Sequence, residues 1–189
     1  MMPTGVGMRL VTVVMLLTWP LQALDDAARA WVLAHRTPGL ERVMRVVSDR
    51  SRVVLVGGVV LGLVSGASGR AFVAEAVVAL IPVNLAVEGL KWSLARPRPD
   101  GDTHRRNSSF PTSHGANAFT IAAVLARRWR RSAVPAWLAA LTVAFSRMVL
   151  DRHWFSDVLG ALFLALAGAW FAASVVKKWQ GRKVAMRTS

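Results

Sequence analysis

The 189-residue sequence contains no cysteine and no tyrosine, and it has only ten acidic residues against 24 lysines and arginines. The absence of cysteine excludes disulfides, thiolate nucleophiles and metal sites built on sulfur. The absence of tyrosine leaves the eight tryptophans as the aromatic side chains suited to a membrane interface. The formal net charge of +14 would by itself favour a nucleic-acid partner, so the positions of the basic residues matter.

Apolar residues are abundant and clustered. They make up 54% of the chain and form stretches that approach the ~20 residues a helix needs to cross a bilayer. The basic residues lie mostly between these stretches, as they do in membrane proteins, which argues against a nucleic-acid partner. We therefore predict an all-α fold, a polytopic membrane helical bundle with about six transmembrane helices, as a single domain over residues 1–189.

The six predicted spans cover residues 10–24, 53–69, 71–90, 115–126, 133–150 and 158–176. The core of the domain would be residues 50–176. The first span and an amphipathic helix at the outer interface (within 25–52) would precede it, and a basic cytoplasmic tail (177–189) would follow. The first and fourth spans are short for a bilayer, so an alternative has five spans, with the fourth as a buried helix.

Two features of the early spans carry further expectations. The first span could instead be a signal peptide, although the residues before Asp25 lack the small side chains of a cleavage site. In the second span, Gly58, Gly62 and Gly66 form a stripe of small residues four apart. Such a stripe predicts close packing against another helix.

The basic residues also predict the orientation. Four arginines crowd the short loop between the fourth and fifth spans, and the tail contains five further lysines and arginines. Both segments are expected on the cytoplasmic side. The segments 25–52, 91–114 and 147–157 would then face outward from a bacterial-type inner or cell membrane.

The outward segments concentrate polar residues at helix ends, at positions 91–99, 109–114 and 146–157. A transferring phosphoryl group spreads negative charge over three oxygens, and Lys91, Arg98 and Arg147 can neutralise that charge. The Thr112 hydroxyl and the N–H groups at the start of the fourth span can donate further hydrogen bonds. This set of groups can transfer a phosphoryl group without a metal ion.

Two histidines and one aspartate complete the predicted chemistry. His153 can attack phosphorus through one ring nitrogen, and Asp157 would contact the other nitrogen if this stretch is helical. That contact would fix the tautomer and stabilise the cation formed on attack. His114 can then protonate the leaving oxygen, because histidine titrates near neutral pH.

These residues fall into three motifs: Lys-x6-Arg-Pro, Pro-x-x-His and Ser-Arg-x5-His-x3-Asp. The matching positions are Lys91, Arg98 and Pro99, then Pro111 and His114, then Ser146, Arg147, His153 and Asp157. In these motifs, over about residues 50–176, the chain resembles the type-2 phosphatidic acid phosphatase superfamily, which also includes vanadium haloperoxidases. The resemblance implies a phosphohistidine intermediate on His153, His114 as the general acid, and no metal or other cofactor.

The second motif departs from the family pattern, which reads Pro-Ser-Gly-His. Thr112 stands in place of the serine and keeps its hydroxyl, so a phosphate contact is still expected. Ser113 stands in place of the glycine and adds a side chain where the backbone is expected to approach the phosphate closely. The resemblance thus places Thr112 and Ser113, together with Ser146 of the third motif, among the phosphate-binding residues.

The predicted function is a metal-independent membrane lipid phosphatase. Its partners would be membrane lipid and a phosphorylated lipid substrate of the phosphatidic acid, phosphatidylglycerol phosphate, undecaprenyl pyrophosphate or lipid A type. The alternatives are a lipid phosphotransferase and a non-catalytic transporter or receptor on the same fold. The oligomeric state is not predicted. Outside the motifs, we expect Arg96 to be an interfacial anchor or headgroup contact, and Asp151, Arg152 and His35 to be solvated.

Overall fold

The computed structural model describes residues 21–102, 104 and 107–188 of the chain, and its regular structure is entirely helical. Helix α1 covers residues 21–35, and a short 3-10 turn, Arg130–Ser132, precedes the fifth helix. The other helices are α2 (Pro38–Val64), α3 (Gly66–Leu94), α4 (Ser113–Arg128), α5 (Ala133–Val149) and α6 (Phe155–Thr188). The predicted all-α class is therefore confirmed, while residues 10–20 of the first predicted span lie outside the described residues.

Helix α4 lies at the centre of the bundle, where it packs against α3, α5 and α6. Its residues Ala116, Phe119 and Val124 are completely buried. With 16 residues, α4 is about 24 Å long at 1.5 Å per residue, which is short for a bilayer core of about 30 Å. A short helix is tolerated here because neighbouring helices, rather than lipid, surround it.

The helices around α4 have the length and composition of membrane spans. Three segments qualify within the described residues: Gly66–Leu94, Arg130–Val149 and Phe155–Trp179. Large apolar side chains point outward from the bundle, with Leu85, Phe163 and Trp170 each about 70% exposed (69%, 73% and 74%). An apolar exterior of this kind is stable against lipid and not against water.

The boundary between α2 and α3 differs from the prediction. The predicted span 53–69 crosses Ser65, where α2 has ended and α3 is about to begin. Gly66 at this junction has a φ of +77°, a conformation that glycine adopts without the steric cost of a Cβ atom. The uninterrupted apolar composition on both sides of the junction concealed the break.

The predicted interfacial helix within 25–52 is also wrong as a separate element. Helix α1 ends at residue 35, and α2 then runs without interruption from Pro38 into the apolar segment. Thr37 caps the new helix, because its hydroxyl accepts the Leu40 N–H at 3.2 Å, and Pro38 occupies the favoured first helical position. The charged residues 41–52 are therefore the first turns of α2.

Close helix packing occurs at a glycine other than those predicted. A Cβ added to Gly58 or Gly66 would meet nothing within 4 Å, so these two positions do not support the expected packing stripe. A Cβ on Gly168 of α6 would instead clash with Val83 of α3. The α3–α6 contact thus depends on a small residue that the sequence pattern did not single out.

The two ends of the bundle differ in character. At the end where α4 finishes, the buried Glu75 of α3 forms an ion pair with Arg127, and Arg128 lies 3.7 Å from the same carboxylate. At the end where α4 begins, the loops after α3 and α5 meet α1 and the start of α6. The three predicted polar segments all contribute to this second end.

Helix α6 also continues past the predicted span to Thr188, so most of the expected tail is helical.

Candidate active site

His153 lies in the loop before α6 and is only 5% exposed. Its Nδ1 lies 2.7 Å from the Ser109 backbone oxygen, which can only accept, so Nδ1 carries the hydrogen and donates it. The lone pair of the ring is then on Nε2, the nitrogen that would attack an electrophile. Burial lowers the pKa of His153, with the Asp157 carboxylate opposing that shift. The geometry therefore holds His153 neutral, as a nucleophile requires.

Asp157 is completely buried behind His153. Its Oδ2 lies 3.4 Å from His153 Nδ1 and accepts the Trp154 backbone N–H at 2.8 Å. The expected contact with His153 is present, but its expected cause is not, because residues 153 and 154 precede α6 and are not helical. The Ser109 carbonyl, rather than Asp157, is the nearer partner of the ring.

Arg96 makes the second contact of Asp157. The expected role of Arg96 as an interfacial anchor is therefore wrong. Its Nη1 donates to Asp157 Oδ1 at 2.8 Å and its Nη2 donates to Asp25 Oδ2 at 2.7 Å. The guanidinium also lies 5.6 Å from the centre of the Trp154 ring. Arg96 therefore points into the protein and links α1 to the start of α6.

The three predicted phosphate-binding cations converge on the same end of the bundle. Lys91 Nζ donates to Ser113 Oγ at 2.6 Å and lies 3.2 Å from a Glu88 oxygen. Arg98 Nε donates to the Asn107 carbonyl at 2.8 Å, and burial lowers its pKa. Arg147 donates through Nη1 to Ser48 of α2. Its Nε is buried and has no hydrogen-bond partner among the described residues, so this donor remains available to an anion.

The hydroxyl residues of the motifs are placed differently from one another. Thr112 caps α4, because its Oγ1 accepts the Gly115 N–H at 3.4 Å, and it is completely buried. Ser113 faces the cavity beside Lys91. Ser146 is buried and donates its hydroxyl to the Val143 carbonyl at 2.7 Å. In this arrangement Ser113 is better placed than Ser146 to meet a phosphate.

His114, the second residue of α4, lines a cavity of about 1210 Å³ between α2, α3, α4 and α5. The cavity follows α4 from His114 to Leu125, about 16 Å by helical rise, and its lining is mostly apolar. Desolvation, followed by the positive charges of Arg147 and Arg52, lowers the pKa of His114 to about 4. A bound anion would offset those charges and favour the protonated imidazole.

The sequence did not indicate the roles of several residues at this end. Arg52 of α2 lines the cavity near His114 and belongs to no motif. Asp151, expected to be solvated, accepts both Nε and Nη2 of Arg29 at 2.8 and 2.7 Å, and Arg152 lies 3.0 Å from an Asp100 oxygen. These contacts join residues distant in sequence, so no local pattern signals them. His35 is exposed as expected.

Comparison with known proteins identifies the family. A family model described as the PAP2 superfamily matches residues 72–180, more than half of the chain. Over 87 residues the chain is 32% identical to the Escherichia coli K12 protein named "Putative undecaprenyl-diphosphatase YbjG". This match covers 44% of the chain and 42% of that relative, so the chain spans less than half the length of the curated protein it matches.

Two crystal structures share the fold. Aquifex aeolicus LpxE superposes with a TM-score of 0.66 at 19% identity, over 77% of this chain and 92% of that one. A transmembrane PAP2 type phosphatidylglycerolphosphate phosphatase from Bacillus subtilis gives a TM-score of 0.68 at 23% identity, over 94% and 98%. Together with the apolar helices, this likeness identifies an integral membrane protein. On the match of the family model to more than half of its length, the chain belongs to the PAP2 superfamily.

Proposed function

We propose that this protein is a membrane lipid phosphatase that hydrolyses a phosphomonoester or a diphosphate of a lipid through a phosphohistidine on His153. The observation that carries the proposal is the cavity of about 1210 Å³, which Lys91, Ser113 and His114 line at one end and whose lining as a whole is mostly apolar. Such a site matches a molecule with an anionic head and a long apolar chain.

The proposed reaction uses the two histidines in turn. Nε2 of His153 forms a bond to phosphorus while the bond from phosphorus to the leaving oxygen breaks, and His114 donates a proton to that oxygen. Water then attacks the phosphohistidine and gives a proton to His114, which releases inorganic phosphate and restores both histidines. Arg98 and Arg147, with Lys91, stabilise the charge on the phosphoryl oxygens in both steps.

The substrate class is proposed from the cavity and from the relatives. The Escherichia coli relative is named for undecaprenyl diphosphate, and the Bacillus subtilis structure is named for phosphatidylglycerol phosphate. Both compounds combine a phosphate group with long apolar chains. We include phosphatidic acid and a lipid A phosphate among the candidate substrates, because each presents the same two features to the cavity.

The active site is proposed to face outward. The basic residues Arg127, Arg128, Arg130 and Arg131 lie at the end of α4 and in the following turn, at the opposite end of α4 from His114. Basic loops favour the cytoplasm, which supports an outward position for His114 and His153. Because the native chain has no cysteine, single cysteines can report the orientation without background.

Activity is tested by phosphate release from the four candidate lipids, using protein purified in detergent. We expect release from at least one lipid, its loss in His153→Ala, and full activity in the matched control His35→Ala, whose ring is exposed. Activity in His153→Ala, or none in the wild type with any of the four, would contradict the proposal.

Orientation is tested with Asp100→Cys and Arg130→Cys and a membrane-impermeant maleimide. Intact cells should label position 100, and position 130 should be labelled only after permeabilisation. The reverse pattern would place the site on the cytoplasmic side.

A further inference from the structure

A chain of buried polar contacts runs from His153 to α1, outside the three sequence motifs. Asp25 of α1 and Asp157 are both completely buried, and the guanidinium of Arg96 joins them at 2.7 and 2.8 Å. Ser156 adds two contacts to Asp25, because its backbone N–H and its hydroxyl donate to the two carboxylate oxygens at 2.7 and 2.6 Å. Each Asp25 oxygen thus accepts hydrogen bonds, as expected of an ionised carboxylate.

The charges in this chain of contacts determine what Asp157 presents to His153. Arg96 alone would neutralise Asp157, because a single cation beside a single anion leaves no net charge. Asp25 supplies a second anion, so the group of three carries one net negative charge beside the His153 ring. A net negative charge stabilises the positive charge that develops on an imidazole when its other nitrogen forms a bond to phosphorus.

We propose that Asp25 is a positioning residue for phosphoryl transfer, acting on His153 through Arg96 and Asp157. This inference rests on the proposed function. Asp25 binds Nη2 of Arg96, so that Nη1 stays on Asp157 Oδ1. The other oxygen of Asp157, Oδ2, then faces His153 Nδ1. It also offsets the positive charge of Arg96, which would otherwise oppose the cationic ring.

Attachment of α1 alone does not account for these contacts. Arg29 already ties α1 to Asp151 with two hydrogen bonds, and Arg36 donates to the Val149 carbonyl at 3.4 Å. Burying the two carboxylates costs desolvation energy that a well-packed apolar contact would avoid. The placement of this group directly behind His153 fits a role in the reaction better than a role in holding the helix.

The test compares Asp25→Asn with Arg29→Gln, a matched control that removes a different contact of α1, the one with Asp151 in the loop before α6. Residues that orient the ligands of a metal site contribute about 10–100-fold, and Asp25, which acts through both Arg96 and Asp157, is expected at the lower end of such effects. We expect kcat of Asp25→Asn to fall about tenfold with KM within about twofold of wild type, because substrate binding does not involve Asp25. Arg29→Gln should keep kcat within about twofold.

Two outcomes would overturn the inference: an unchanged kcat in Asp25→Asn, with or without a rise in KM, or an equal loss of kcat in Arg29→Gln. If Asp25→Asn is not recovered folded in detergent, Arg96→Lys serves instead, because one ammonium group cannot bridge both carboxylates as the fork does. The same fall in kcat is expected, and full activity would overturn the inference. A wild type without phosphatase activity would refute the proposed function itself, whereas an active wild type with a fully active Asp25→Asn refutes only this step.

Discussion

Replacing Asp157 by asparagine separates its effect on stability from its effect on the reaction. Its two oxygens accept from Arg96 and from the Trp154 N–H, each at 2.8 Å. Asparagine keeps the shape but has one oxygen, so one of these buried donors must face an amide N–H. A buried donor left unpaired costs about 1–3 kcal/mol, which should lower the melting temperature in detergent without abolishing the fold.

The effect on turnover of Asp157→Asn should be larger. The carboxylate lies 3.4 Å from His153 Nδ1, and the equivalent change of aspartate to asparagine in a serine protease triad costs about 10⁴ in kcat, or about 5 kcal/mol of barrier. Asp151→Asn is the matched control, because it removes a carboxylate from the loop just before α6, and asparagine tolerates the positive φ of that position (56°). Phosphate release at saturating substrate should be about 10⁴-fold slower in Asp157→Asn and nearly unchanged in Asp151→Asn. A kcat of Asp157→Asn within tenfold of wild type would refute the reasoning.

Three further predictions follow from the same site. His114→Ala should slow release from a lipid phosphate by about 10²–10⁴ and slow an aryl phosphate much less, because an aryl leaving group needs little protonation; equal losses would contradict a general acid. Arg52→Gln should raise the pKa of His114 from about 4, because it removes one of the positive charges that lower this pKa. The other groups that lower it by their charge are Arg147, His153 and Lys91. The limb of kcat/KM that falls with rising pH should then move to higher pH, and a shift to lower pH would be inconsistent with this geometry. Turnover should persist in EDTA, because side-chain cations neutralise the phosphoryl charge, and a loss restored by a divalent ion would contradict the mechanism.

The spacing within each motif is local, and the structure brings the motif residues to the same end of the bundle, while their roles stay a prediction. Lys91 and Arg98 lie within one helix end and the loop that follows it, and His153 and Asp157 are four residues apart. The prediction that His153 and Asp157 meet through a helix was wrong in its cause, since the loop before α6 and the Ser109 carbonyl orient the ring. The spacing indicated that these residues lie close together, but it did not indicate the backbone conformation that brings them together.

The contacts that the sequence did not predict connect distant segments. Asp25 and Arg96 are 71 residues apart, and neither has a neighbour in sequence that marks it for burial. An arginine at the end of a membrane helix is most often an interfacial anchor, so local reasoning favoured the wrong role for Arg96. Arg52 likewise faces the cavity because α2 begins at Pro38, well before its apolar segment. The charged residues of its first turns hid the fact that the helix is continuous.

The central claim, that His153 forms a covalent bond to phosphorus, is tested most directly by rapid quench with a lipid labelled in its phosphate. The protein is quenched in base at times shorter than one turnover, digested, and the labelled peptide is sequenced. We predict an acid-labile, base-stable label on His153, absent in His153→Ala and still formed in His114→Ala with an aryl phosphate. Label on His114, or steady turnover of the wild type with no labelled peptide at any time, would contradict this account.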